Sequence, residues 1–297
     1  MLAATHTVHL VPTYLRPRVT YLVQRKSRNP SRPMAQSQQH LWALDFDGVV
    51  CDSVGESSIT AWKAAARLWP DIFDSKAAAA EKKKVLEGMR LCRPVIETGF
   101  ENPVQARCLL EGISPNAILA DWHSILETKM DEWKLERAQL VELFGSARDD
   151  WMKQDIDGWL NANGIYAGLP EMLQHVMKAH ELYIVTTKQE RFTEALLRDM
   201  AKVPLHSDRI WSTTVSGKPK SDMLVKLQSQ HPDRIYHFVE DKLGTLEKVL
   251  QITELDHWKL YLVDWGYNTR EERSRAAANP RIQVVKRDQL AFAMGTS

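Results

Sequence analysis

The spacing of apolar residues changes character along this chain, and the change divides it. Leu41-Trp42-Ala43-Leu44 is a short, bounded apolar run, which predicts a buried strand, and it leads into Asp45-Phe46-Asp47-Gly48. Helical spacing follows. Ile59, Trp62, Ala66 and Trp69 share one face and predict a helix over 56–69, stopped by Pro70. An Ala- and Lys-rich stretch predicts a second helix over 75–89, with Glu81-Lys82-Lys83-Lys84 as its solvated face. Residues 90–102 mix charge with Pro94 and Gly99 and predict a turn between helices. Helical periodicity resumes over 103–110 and 115–144, and Trp151 and Trp159 are spaced to share a helix face as core residues. No strand pattern stands out between 56 and 165.

Beyond that point strands and helices alternate. Strands are predicted over 182–185, 210–213, 235–239, 260–263 and 282–285, with helices over 192–200, 223–230 and 243–252 between them. Alternation with short connections means right-handed βαβ units and a parallel sheet. The first strand belongs to this sheet. The fold class is therefore α/β: a Rossmann-like parallel-sheet core made of 39–55 and 166–297, with an all-helical cap, 56–165, inserted after the first strand.

The amino-terminal stretch fits neither part. It holds no Asp or Glu before Asp45, yet carries Arg16, Arg18, Arg25, Lys26, Arg28 and Arg32 among hydroxyl residues and prolines. A basic, acid-free leader of this kind reads as an organellar transit peptide over 1–38, and the other reading is a basic arm for an anionic partner. Prolines interrupt any long amphipathic Arg helix, which favours the chloroplast stroma, with the mitochondrion as the alternative. Over the whole 297 residues the net charge is +1, so there is no bulk attraction for nucleic acid or acidic lipid. No apolar run is long enough to span a membrane. Cys51, Cys92 and Cys108 have no paired spacing, which argues against a zinc site or a disulfide framework. Cys51 lies close to the aspartates, as a reactive thiol or, more in keeping with its apolar setting, a buried inert one.

The chemistry gathers where strands end. Successive side chains alternate along a strand, so Asp45 and Asp47 lie on the same side, and two carboxylates that close repel unless a proton or cation sits between them. Thr186 and Thr187 follow the 182–185 strand. Lys218 and Lys220 follow the 210–213 strand, and Glu240-Asp241 end the 235–239 strand. In open α/β sheets ligands bind outside the carboxyl ends of strands. Four carboxylates, a hydroxyl and a lysine there form a kit for phosphoryl transfer. The carboxylates of Asp45, Glu240 and Asp241 can hold Mg²⁺, a hard cation that prefers oxygen. A lysine and a threonine neutralise and orient the phosphoryl oxygens. One aspartate can attack phosphorus, and a second can move the proton.

These motifs, in this order, resemble the haloacid dehalogenase superfamily of phosphohydrolases with a helical cap. The Glu240-Asp241 pair resembles its β-phosphoglucomutase-like branch. Thr186-Thr187-Lys188, Tyr166-Ala167-Gly168-Leu169-Pro170 and Trp265-Gly266-Tyr267 resemble segments of its phosphoglycolate phosphatases. The resemblance implies Asp45 as nucleophile, Asp47 as acid/base and as a metal ligand through its carbonyl, and Thr186 as the phosphate-binding hydroxyl. It implies Asp241 as a metal ligand with Glu240 beside it, and Mg²⁺ as cofactor. Either Lys218, by its Lys-Pro spacing, or Lys220, by its distance from Leu224, fills the lysine position. The usual second acid after Asp241 is replaced by Thr245. Asp47 favours phosphoester chemistry over dehalogenation. From the cap, Arg90, Arg93 and Glu97 are candidates for recognising the leaving group, although Arg93 and Glu97 also have the spacing of an exposed pair. The implied activity is a Mg²⁺-dependent phosphatase for a small phosphorylated metabolite. The alternatives are a phosphomutase or a non-catalytic module of the same fold.

Overall fold

The computed structural model describes residues 39–296, so the basic leader and its targeting reading lie outside the described residues. Eight strands occur among these residues: β1 His40–Leu44, β2 Cys51–Asp52, β3 Gly164–Ile165, β4 Glu181–Thr186, β5 Ile210–Ser212, β6 Ile235–Glu240, β7 Lys259–Val263 and β8 Ile282–Val285. Six form one parallel sheet in the order β5-β4-β1-β6-β7-β8. The chain builds β1, β4 and β5 toward one edge, then crosses back and builds β6, β7 and β8 toward the other. The reversal falls between β1 and β6, where the carboxyl ends of neighbouring strands part and leave a crevice.

Both faces of the sheet are covered, which is why its strands read as continuous apolar runs. Trp42, Leu44, Ile184, Val239 and Val263 pack into one core, and Leu41, Ala43, Val185, Phe238 and Leu262 into the other. Complete burial of one such aliphatic side chain contributes about 1.5–3 kcal/mol. The core facing Trp42 also takes in Trp151 and Trp159 from the helical segment.

The helical segment runs from Val54 to Asn161 and leaves and re-enters the core side by side, through β2 and the antiparallel β3. The short β3 falls inside the stretch expected to hold no strand. Its two residues are too few to show a period, and pairing with β2 alone makes them a strand. The single helix expected over 115–144 is broken twice: Pro115–Glu132 kinks at Asp121, which leaves helical geometry at φ −155° and ψ 63°, and Arg137–Gln154 begins after a loop in which Lys134 takes a positive φ of 53°. Trp151 and Trp159 do not share one helix either. Asp155 leaves helical geometry at φ −155° and ψ 77°, and its carboxylate caps the next helix by accepting the Gly158 N–H at 2.8 Å. Both indoles are buried all the same, because each helix turns its tryptophan to the same core.

At the far end of the sheet from the crevice, three histidines meet. His237 Nε2 lies 2.8 Å from His40 Nδ1, its Nδ1 lies 3.1 Å from the Tyr261 hydroxyl, and its ring stacks on Trp42 at 3.8 Å. His180 lies against His40, with ring centroids 4.7 Å apart. Burial lowers the His237 pKa from 6.5 to about 3, with His40, Lys259 and His180 adding to the effect. The folded state therefore refuses a proton that the unfolded chain takes up. Its stability contribution is full above pH 6.5 and is lost as the pH falls toward 3. This linkage is expected to cost about 1.4 kcal/mol by pH ~5.5. Denaturant titrations of wild type and His237→Phe between pH ~7.5 and ~5 check it, the variant showing the flatter profile.

Candidate active site

β1 carries Asp45 to the crevice and the adjacent β6 carries Glu240 and Asp241. The Asp45 N–H donates to the Val239 carbonyl at 2.9 Å, so the strand register itself sets the carboxylates side by side. One oxygen from each of Asp45, Glu240 and Asp241 lies within 4.8 Å of the others, and all three residues are buried. Burial raises the pKa of Asp45, and the charges of Asp241 and Asp47 add to that rise while Lys220 opposes it.

The structure separates the two lysines. Lys220 stands at the first turn of the helix Lys220–Gln230, with its ammonium 2.9 Å from Asp45 Oδ1 and 2.7 Å from Glu240 Oε2. Lys218 is exposed on the loop before it and lines only the outer wall of the cleft. Pro219 is still extended, at φ −65° and ψ 158°, and the helix begins at Lys220.

Glu240 has both oxygens engaged within the protein. Its Oε1 accepts the N–H groups of Asp241 at 3.2 Å and Lys242 at 3.1 Å, and its Oε2 accepts Lys220. Glu240 therefore anchors the lysine more than it offers itself to a cation. Asp241 is different. Its Oδ2 accepts the Tyr267 N–H at 2.7 Å, while its Oδ1 is buried without a hydrogen-bond partner. An orphaned carboxylate oxygen among all-oxygen donors fits a hard cation. The loops around Asp241 are packed tightly against it. A Cβ on Gly48, which takes φ +85°, would lie 2.0 Å from Asp241 Oδ2, and one on Gly266 would lie 2.3 Å from its Cβ.

Asp47 faces away from that group. Its Oδ1 lies 3.2 Å from the Lys188 ammonium. Burial would raise its pKa, but the charges of Lys188 and Arg93 prevail and hold it below the usual carboxylate range. Thr186 is fully buried, and its hydroxyl accepts the Lys188 N–H at 3.2 Å, which leaves its own proton to donate. Thr187 lines the cleft and donates to the Glu97 carbonyl at 3.3 Å.

Arg93 stands in the site, not in an exposed pair with Glu97. Its guanidinium lies over the Tyr267 ring at 4.1 Å, Nη1 donates to the Ile96 carbonyl at 2.9 Å, and Nε is buried without a partner. The turn of 3₁₀ helix at Arg93–Val95 breaks the α-helical spacing that would have paired it, and Glu97 faces Lys248 at 3.9 Å instead. Arg90 lies outside the cleft, paired with Asp52 at 3.2 Å. Lys242 reaches across to the Arg93 and Pro94 carbonyls, and its pKa falls to about 8, chiefly through burial and then through Arg93. Cys51 is fully buried, and burial pushes its thiol pKa up, so it is inert.

Together these residues wall a cleft of about 790 Å³ between sheet and helices, lined by Asp45, Asp47, Arg93, Arg137, Lys220 and Asp241 among others, with Thr245 at its edge. A narrow inner chamber of about 40 Å³ continues past Asp47 toward Arg148 and Lys188. Three charged residues about Asp47 escape the sequence reading: Lys188, Glu56 and Arg148. Lys188 belongs to a run singled out for its threonines. Glu56 and Arg148 belong to no motif in the sequence, and only their partners across the fold single them out.

No protein-family model matches this chain, and no curated protein matches its sequence. Solved structures do match. One is a phosphatase, so named, from Clostridium acetobutylicum, aligned over 88% of this chain and 100% of its own at a TM-score of 0.54 and 14% identity. A protein named as a phosphoglycolate phosphatase from Lactobacillus delbrueckii aligns over 86% and 98%, at 0.56 and 14%. A haloacid dehalogenase-like family hydrolase from Streptococcus pneumoniae aligns over 86% and 98%, at 0.51 and 12%. At such identities the likeness is one of architecture, and the chain has the haloacid dehalogenase-like fold.

Proposed function

We propose that this chain is a Mg²⁺-dependent phosphatase acting on a small phosphorylated metabolite through an aspartyl-phosphate. One observation carries the reading: Asp45, Glu240 and Asp241 converge within 4.8 Å at the strand-order reversal, beneath Lys220, with an oxygen of Asp241 left unpaired. Asp45, Asp241 and the Asp47 carbonyl would hold the cation, whose bound charge would offset the repulsion between carboxylate and phosphate.

The residues then divide the work. An oxygen of Asp45 forms a bond to phosphorus while the bond from phosphorus to the ester oxygen breaks. The departing oxygen keeps the electron pair and takes a proton from Asp47. Asp47, ionised in the free protein, takes that proton from solvent water as a phosphate dianion approaches and raises its pKa. In the second half, water gives a proton to Asp47 and bonds to phosphorus, and the phosphorus–Asp45 bond breaks. Lys220 holds Asp45 in place and neutralises charge throughout, Thr186 would donate its free hydroxyl proton to a phosphoryl oxygen, and Thr187 would do so only on giving up its bond to the Glu97 carbonyl. Arg93 and Arg137 line the part of the cleft left to the leaving group. The leader's composition supports a place in the chloroplast stroma.

The test is hydrolysis of an aryl phosphate by the protein freed of residues 1–38, with Mg²⁺ and with a chelator. Free phosphate released only with the metal supports the reading. Isomerisation of a sugar phosphate without phosphate release would make the protein a mutase instead. No turnover with any phosphate ester would remove the enzyme altogether.

A further inference from the structure

Four charged side chains run in a line from the crevice into the helices. Asp47 Oδ1 meets the Lys188 ammonium at 3.2 Å, and that ammonium lies 3.5 Å from Glu56 Oε2. Glu56 in turn accepts Arg148 through two parallel bonds, Nε at 2.7 Å and Nη2 at 2.8 Å. The side chains of Lys188 and Glu56 have no exposed surface, and that of Arg148 is 7% exposed. The four belong to different parts of the molecule. Asp47 and Lys188 lie on the loops after β1 and β4, Glu56 on the helix Val54–Leu68, and Arg148 on the helix Arg137–Gln154.

A dry row of two anions and two cations is a poor device for stability alone, since desolvation consumes most of the Coulombic gain. Its geometry suits another task. Every other bond of Glu56 comes from the helical segment: Thr60 Oγ1 donates at 2.7 Å and Trp159 Nε1 at 3.3 Å. Glu56 therefore moves with the helices. Lys188 is shared between that carboxylate and Asp47. When the helices are docked, the ammonium is drawn to one place and holds the Asp47 carboxylate at the mouth of the inner chamber. Among the described residues, β2 and β3 pair with each other at the two crossings between core and helical segment, next to this row, which is where a hinge would lie.

We infer that Lys188 is a positioning residue, and that with Glu56 and Arg148 it forms an ionic latch coupling the docking of the helical segment to the alignment of Asp47. The catalytic part of this inference rests on the role proposed above for Asp47; the latch part does not.

Lys188→Met, Lys188→Arg and Glu56→Gln in the full chain test it by two readouts. The first is steady-state hydrolysis of an aryl phosphate. Lys188→Met is expected to lose about 10²-fold in kcat with little change in KM. Lys188→Arg is expected to recover most of that loss, and Glu56→Gln to lose less, in the same direction. The second is hydrogen–deuterium exchange. Peptides from 54–68 and 137–154 are expected to exchange faster, about tenfold, in Lys188→Met and in Glu56→Gln, while core strands are unchanged. If Lys188→Met does not fold, Glu56→Gln and Lys188→Arg carry both measurements. An unchanged kcat in an active protein, or unchanged exchange in these helices, overturns the inference. If the wild type hydrolyses no phosphate ester, the proposed function falls and the exchange result alone decides the latch.

Discussion

Asp45→Asn is expected to abolish turnover and, in the absence of metal, to raise the melting temperature. The first effect follows from the loss of the attacking carboxylate, because an amide cannot form the covalent intermediate. A loss of at least ~10³-fold in kcat is expected. The second follows from the crowding of Asp45, Glu240 and Asp241 within 4.8 Å, all buried, with Lys220 as the ammonium between Asp45 and Glu240. Removing one charge relieves like-charge repulsion and the desolvation of one ion, while Lys220 keeps its bond to Glu240 at 2.7 Å. A gain on the order of 1 kcal/mol corresponds to roughly 2–4 °C for a chain of this size. Calorimetry in chelator and steady-state kinetics in Mg²⁺ measure the two effects. More than about a tenth of wild-type activity in the variant, or a lower melting temperature, would contradict this account. A site that gives up stability to hold its charges together is what a functional cluster should show.

Mg²⁺ is expected to stabilise the wild type strongly and Asp241→Asn hardly at all. A ligand that binds only the folded state at about 100 times its Kd adds about 2.7 kcal/mol, or roughly 5–10 °C here. The cation would relieve the same repulsion that Asp45→Asn removes, so the two stabilisations should overlap when combined. Asp241 decides the outcome because its Oδ1 has no partner within the protein while its Oδ2 is spent on Tyr267. The measurement is the shift in melting temperature between chelator and saturating Mg²⁺ at constant ionic strength. An equal shift in wild type and Asp241→Asn would place the binding elsewhere, and no shift in wild type would deny a cation site.

Much of the fold is visible in the linear pattern because burial on both faces leaves an unmistakable trace. The strands at Leu41–Leu44, Leu182–Val185 and Leu260–Val263 are apolar runs closed by polar residues, and each lies within an observed strand. The residues at their ends were legible for the same reason, since a carboxylate directly after a buried strand has one place to go. The helical segment was less legible. Its breaks at Asp121, Lys134 and Asp155 depend on backbone torsions that an amphipathic pattern does not encode. The 3₁₀ turn at Arg93 shows the same difficulty, because three residues are too few to carry a period.

The sequence by itself determined the α/β core, the insertion of helices after the first strand, and the carboxylates and threonines that the strand ends carry to the crevice. It could do so because periodicity and strand ends are local, and local regularity is written in the order of residues. Tertiary structure alone decided that Lys220 and not Lys218 meets Asp45, that Arg93 enters the cleft while Arg90 does not, and that Lys188 joins Asp47 to Glu56 and Arg148. Those pairings join residues far apart in the chain. Each charge is commonplace in its own neighbourhood, and what it does is set by the opposite charge that folding brings to it.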